Sequence, residues 1–200
     1  MPKRDLPSAD DIRRLVERVI DGASAPVSNV SAPATASPKG GCGCGCDGSI
    51  AIGADHGGFA LKERIAFRLR EQGHTVVDCG TDSTEAVDYP DLARAVAEKV
   101  SSKECSVGIV IDGAGIGSAM VANKVRGVRA ALCYDLSSAR NSREHNHANV
   151  LTLGAGLIGE ALAWQIVEEW LATPWGEGRH ARRVEMIDAL DGARVDSVTA

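Results

Sequence analysis

From Ser49 onward, short apolar runs rich in β-branched residues alternate with stretches in which apolar positions recur every three or four residues. SIAIGA (49–54), TVVDCG (75–80), VGIVID (107–112), VRAALC (128–133) and NVLTLG (149–154) read as strands. Helical spacing falls near residues 58–72, 90–101, 116–124, 136–144 and 159–171. This alternation predicts an α/β fold: a three-layer α/β/α sandwich around a five-stranded parallel, Rossmann-like sheet. Ligands bind such sheets beyond the carboxyl ends of the strands. Chemistry is therefore expected in the turns ADHGG, DCGTDSTEAVDYP, DGAGIGS, the turn after ALC, and LGAGLIG.

The chain before Ser49 has a different pattern. Residues 8–21, SADDIRRLVERVID, place Ile12, Leu15, Val16, Val19 and Ile20 on one stripe, with Arg13, Arg14, Glu17 and Arg18 opposite. Ser8 suits the N-cap, Asp10 and Asp11 the positive first turn, and Gly22 the terminator. Periodicity then stops: residues 23–48 are mostly Ala, Pro, Ser, Gly and Cys and predict a flexible linker reaching on the order of 30 Å. The expected organisation is an amphipathic helix in 1–22, a linker in 23–48 and one domain in 49–200. The helix either docks on its own domain or a twin subunit, or lays its apolar face in another protein's groove.

Composition narrows the function classes. Hydrophobic residues make up 44% of the chain but aromatics only 4%, which suits helices packed closely on a parallel sheet. A net charge of −5 with interspersed signs argues against a nucleic-acid partner. No apolar run approaches the roughly 20 residues that span a bilayer, and no charged-then-apolar leader is visible. A cytoplasmic setting with reduced thiols is expected. Cys42, Cys44 and Cys46 alternate in GCGCGC; they lack the CxxC spacing and second ligand pair of a zinc site and read as linker thiols. Cys79, Cys105 and Cys133 fall in or beside strands and read as core residues. No metal and no cofactor are expected.

Among the turns, Asp112-Gly-Ala-Gly-Ile-Gly-Ser118 invites a nucleotide reading. Its GxGxG spacing in the third unit matches neither the dinucleotide fingerprint nor a Walker loop. Gly113, Gly115 and Gly117 instead offer backbone N–H groups at a helix start, suited to an anion or an enolate oxygen. Asp55 and His56 follow the first strand, where Asp55 is either a helix cap or part of a site. His145, Asn146 and His147 cluster where a helix leads into a strand. Arg179, His180, Arg182 and Arg183 crowd five positions; Arg179 and Arg183, four apart, are expected on one helix face, where they form a phosphate grip or a solvated basic face.

ADHGGFALKERI, GTDSTEAVDYPDLA, the glycine turn followed by ANKVRGVRAALC, SREHNHANVLTLGAGLIG and EGRHARRVEMI together resemble the ribose-5-phosphate isomerase B family, whose relatives include the galactose-6-phosphate and allose-6-phosphate isomerases. The resemblance covers residues 49 to 190. It implies a metal-free aldose–ketose isomerase that works through a cis-enediolate, as a homodimer or dimer of dimers with sites built across the interface. By resemblance, His145 helps to open the sugar ring with Asn146 beside it. Asp55 and His56 meet the substrate's hydroxyl and phosphate end, and Arg179 and Arg183 bind the phosphate. The backbone of Gly113 to Gly117 holds the enediolate oxygen, and Asn123 shapes that loop.

The base departs from the family pattern. Asp112 stands where many members have a cysteine, Ala114 where threonine is common, Ser118 where others have a glutamate, and His147 where Asp is commoner. A carboxylate can move a proton between neighbouring carbons, as one does in triosephosphate isomerase, and Asp is ionised at neutral pH. Asp112 is therefore expected to be the base; otherwise it caps the following helix in a silent, sugar-phosphate-binding member. The appended helix and linker resemble the encapsulation peptides that carry enzymes into bacterial microcompartments. This implies a shell-protein partner for residues 8–21. A nucleotide-binding regulator is the remaining, disfavoured alternative.

Overall fold

The structure, a computed structural model, describes Asp10 and residues 48–193. The rest of the expected N-terminal helix, the linker and Cys42, Cys44 and Cys46 lie outside the described residues. Strands β1 (Ile50–Ala54), β2 (Val76–Asp78), β3 (Val107–Asp112), β4 (Ala130–Leu132) and β5 (Val150–Gly154) form one parallel sheet in the order β2-β1-β3-β5-β4. Helices α1 (Phe59–Glu71), α2 (Tyr89–Ser101), α3 (Ile116–Ala122), α4 (Leu136–Asn146) and α5 (Glu160–Ala172) make the crossovers. A 3-10 turn (Gly178–His180) then leads into α6 (Ala181–Ala193).

The three layers follow from side-chain alternation along the interior strands. Ile50 and Ile52 of β1, Ile109 and Ile111 of β3, and Leu151 and Leu153 of β5 share a core with Leu61, Ile65 and Leu69 of α1 and Ile166 and Trp170 of α5. The intervening Ala51, Val110 and Val150 pack with Val96 and Val100 of α2 and Ala122 of α3. Both faces of these strands are buried, so their sequences read as continuous apolar runs. Gly53 and Gly108 let α2 approach the sheet: a Cβ on either would stand within 2.7 Å of a Val96 methyl carbon.

Local signals set the helix ends. Asp135 Oδ1 accepts the Ser138 amide at 2.7 Å and caps α4. The same helix stops at His147, whose backbone is left-handed (φ 49°). Among the described residues, no helix is long and apolar enough to cross a membrane.

Parallel strands oblige each connecting helix to run back against them. Asp112 therefore lies at the carboxyl end of β3, while His145 and Asn146 lie near the amino end of β5. The six residues of β3 alone span about 20 Å.

Candidate active site

Two clusters of the expected residues form, at opposite ends of the sheet. At the carboxyl end, the turns after β1 and β3 adjoin: a Cβ on Gly57 would stand 3.4 Å from Asp55 Oδ1 and 3.7 Å from the Gly113 nitrogen. Asp55 is buried, and its Oδ1 accepts the Gly58 amide at 3.0 Å at the head of α1. His56 Nδ1 accepts the Val87 amide at 3.3 Å, which leaves Nε2 to carry the proton of the neutral ring.

Asp112 is 6% exposed and its carboxylate is fully engaged. Oδ1 accepts the amides of Ala114 (2.8 Å) and Gly115; Oδ2 accepts the amide (3.1 Å) and the hydroxyl (2.5 Å) of Ser118. An ionised carboxylate has about four acceptor positions, and all are used. The carboxylate thus ties the turn before α3 to the third residue of that helix. It draws three of the turn's amides inward, while those of Gly113, Ile116 and Gly117 have no acceptor among the described residues.

Two tyrosines that no local pattern marks fix the turn. Tyr134 donates its hydroxyl to Ala114 O at 2.7 Å. The Tyr89 ring lies over Gly117, where a Cβ would come within 2.6 Å of it. Gly115 adopts φ +76°, a left-handed backbone that glycine takes without strain.

At the amino end, His145 stacks on His180, with ring centroids 4.3 Å apart and planes 8° from parallel. Asn141 Nδ2 lies 2.9 Å from His145 Nδ1 and can only donate there, which puts the proton of a neutral His145 on Nε2. Arg179 Nε donates to His180 Nε2 at 3.2 Å. Burial, with His145, Arg179 and Arg183 facing the ring, holds the His180 pKa below its ordinary value. Arg179 sits in the 3-10 turn and Arg183 in α6, so their four-residue spacing crosses two helix types rather than one face of a single helix.

Asn123 also belongs to this end. It does not touch the glycine turn; its amide brackets Ala130, donating to Ala130 O (2.9 Å) and accepting from Ala130 N (2.8 Å). Asn123, Arg129, Asn146 and Ile187 line a cavity of about 290 Å³. Among the described residues, no group of three or more His, Cys, Asp or Glu side chains is placed to hold a metal.

The family description Ribose/Galactose Isomerase matches residues 50–187. Ribose-5-phosphate isomerase B of Escherichia coli K12 is 46% identical over 145 residues, 72% of this chain and 97% of that protein. The chain belongs to the ribose/galactose isomerase family. Among solved members, ribose-5-phosphate isomerase B of Clostridium thermocellum is 49% identical with a TM-score of 0.72, covering 73% of this chain and 99% of that one. The Mycoplasma genitalium ribose-5-phosphate isomerase B with bound ribulose-5-phosphate is 38% identical with a TM-score of 0.71, covering 74% and 98%.

Proposed function

We propose that this chain interconverts an aldose phosphate and a ketose phosphate, ribose 5-phosphate and ribulose 5-phosphate, through a cis-enediolate, at a site assembled from two copies. The observation that carries the reading is the separation of the two clusters. Asp55, His56, Asp112 and the free turn amides occupy one end of the sheet, and His145, Arg179 and Arg183 the other. A two-fold dimer would bring one copy's carboxyl end to the other's amino end twice over. Exposed apolar side chains suit such contact: Ile116 and Met120 on α3, and Met186, Ile187 and Leu190 on α6.

In this arrangement His145 presents Nε2–H to the ring oxygen while the sugar opens, with Asn146 alongside. Arg179 and Arg183 hold the phosphate, with His56 near the same end. The base removes the proton from C2, and the electron pair forms the C1–C2 double bond. The charge gathers on O1, facing the amides of Gly113, Ile116 and Gly117. The proton returns at C1, while the O2 hydroxyl proton passes to O1 beside Asp55. Asp112 Oδ2 serves as the base once the Ser118 hydroxyl turns away; a helical serine can bond instead to the carbonyl four residues earlier, here Ala114. Residues 1–22 act as an address for a microcompartment shell, as their amphipathic stripe and linker suggest.

A second reading has one observation in its favour. With every acceptor position of Asp112 filled, the chain is a silent member that binds a sugar phosphate or partners an active subunit. Complementation separates the two readings. Asp112→Asn and His145→Ala are each expected to be inactive towards ribose 5-phosphate, whereas mixing them gives heterodimers with one intact site. Recovery of about a quarter of the unaltered activity is expected if subunits exchange at random. Inactivity of the unaltered chain towards four- to six-carbon aldose phosphates would leave the silent reading standing.

A further inference from the structure

The last turn of α4 is held by the segment that joins α5 to the 3-10 turn. Gly176 donates its N–H to Glu144 O at 3.0 Å, and a Cβ on Gly176 would stand 3.0 Å from Glu144 Cγ and 3.1 Å from that oxygen. Beside this contact, one ring of the segment and one of the 3-10 turn lie flat on two histidines of the helix end. Trp175 stacks on His147 with centroids 4.2 Å apart and planes 3° from parallel, and His180 stacks on His145. The two stacked histidines bracket Asn146 in the chain.

His147 sits in a conformation that its side chain disfavours, left-handed at φ 49° and ψ 42°. Its backbone is tied on both sides: its N–H donates to Arg143 O at 3.1 Å, and its carbonyl accepts Arg129 Nε at 3.0 Å. The next amide, of Ala148, donates to Ser142 O at 2.9 Å. The contact is one of ring faces: Trp175 Nε1 is buried without a hydrogen-bond partner among the described residues. Burial, with Arg129 and Arg143 nearby, pushes the His147 pKa down to about 4, so near neutral pH this is a stack of two uncharged rings.

We infer that Trp175 is a positioning residue: its flat contact with His147 sets the left-handed turn that aims Asn146 and His145 at the substrate. The inference rests on the roles given above to His145 and Asn146. It goes beyond them because Trp175 touches neither residue in the stacks described and needs no contact with the sugar.

The test uses the full chain and ribose 5-phosphate. In Trp175→Leu, kcat is expected to fall by a factor on the order of ten to a hundred, as misaimed groups do, with a smaller change in KM. Trp175→Phe, which keeps a flat ring, should restore most of kcat. His147→Asn tolerates the left-handed turn but carries no stacking ring, so it should lose a similar factor, and the double variant Trp175→Leu/His147→Asn little more than either alone. Imidazole nitrogen–proton NMR spectra give a readout independent of turnover: His145 should change in Trp175→Leu and return to its original position in Trp175→Phe. A Trp175→Leu protein with lowered Tm but unchanged kcat and an unchanged His145 signal would overturn the inference. If His145→Ala and Asp112→Asn both keep full turnover, the reading of the site fails instead.

Discussion

The Ser118 hydroxyl donates to Asp112 Oδ2 across 2.5 Å, with both side chains buried, so a serine fills the acceptor position that a proton-abstracting carboxylate would need free. Ser118→Ala opens that position and removes one hydrogen bond to a charged group, costing about 2 kcal/mol of stability. With Asp112 as base, this variant should melt earlier yet show no loss of kcat in a ketose-formation assay. A kcat that falls as far as in Asp112→Asn would show that the hydroxyl itself is required.

Gly115 tests the geometry of the turn without removal of a polar group. A Cβ there would stand 2.6 Å from Leu132 Cδ1 and 2.8 Å from the Leu153 carbonyl carbon, on a backbone at φ +76°. Gly115→Ala should cost more than about 2 kcal/mol in denaturant unfolding, the sum of left-handed strain and a backbone clash. An unchanged midpoint would contradict this account of the turn.

Lys62 is 1% exposed, and its ammonium donates to Asp78 Oδ2 at 2.6 Å and Thr81 O at 2.9 Å. Burial opposes the charge, but the hydrogen bonds that the ammonium donates to Asp78 and Glu63 outweigh it and hold the pKa above the ordinary lysine value. Lys62→Met keeps the volume but leaves the buried Thr81 carbonyl without its donor, while the partly exposed Asp78 stays solvated, so a loss of about 1–3 kcal/mol is expected. The affected loop runs on to Val87, whose amide meets His56, so weaker ribose 5-phosphate binding should accompany the loss. Calorimetry together with KM would check both effects.

His147 supplies a pH dependence. Its folded pKa of about 4 lies below its ordinary 6.5, so between these values the unfolded chain binds the extra proton. This contribution to stability is therefore complete above pH 6.5 and is lost progressively as pH falls towards 4. The stability gap between the unaltered chain and His147→Asn should change across that window and level off above it. Urea midpoints at several pH values would show this; parallel curves for the two proteins would refute it.

The N-terminal stripe has its own test. Deleting residues 1–22 should leave kcat and KM for ribose 5-phosphate unchanged but abolish co-purification with a shell protein. Co-purification that survives the deletion would reject the address role.

The strands were legible because β1, β3 and β5 are buried on both faces and are therefore dominated by apolar, largely β-branched side chains. The crossover helices came within about two residues of their observed ends, through periodicity. The helix after His180 was only partly legible, since Arg179 and Arg183 turned out to span a change of helix type. At the site, residue types marked Asp55, Asp112 and His145, but not their separation, which comes from the parallel direction of the strands. Asn123 was tied to the glycine turn by resemblance, yet its amide pairs with the edge of β4. The ring stacks and the Ser118–Asp112 bond left no local signal, because each depends on where distant backbone segments meet.

The opposed placement of Asp112 and His145 bears on how such a protein would behave in a dilute cell extract. With the two groups at opposite poles of one sheet, a lone copy on the proposed reading owns two half-sites and no whole one. Specific activity would then fall as protein concentration drops below the dimer dissociation constant. A copy damaged at either pole would also impair a healthy partner at only one of their two sites.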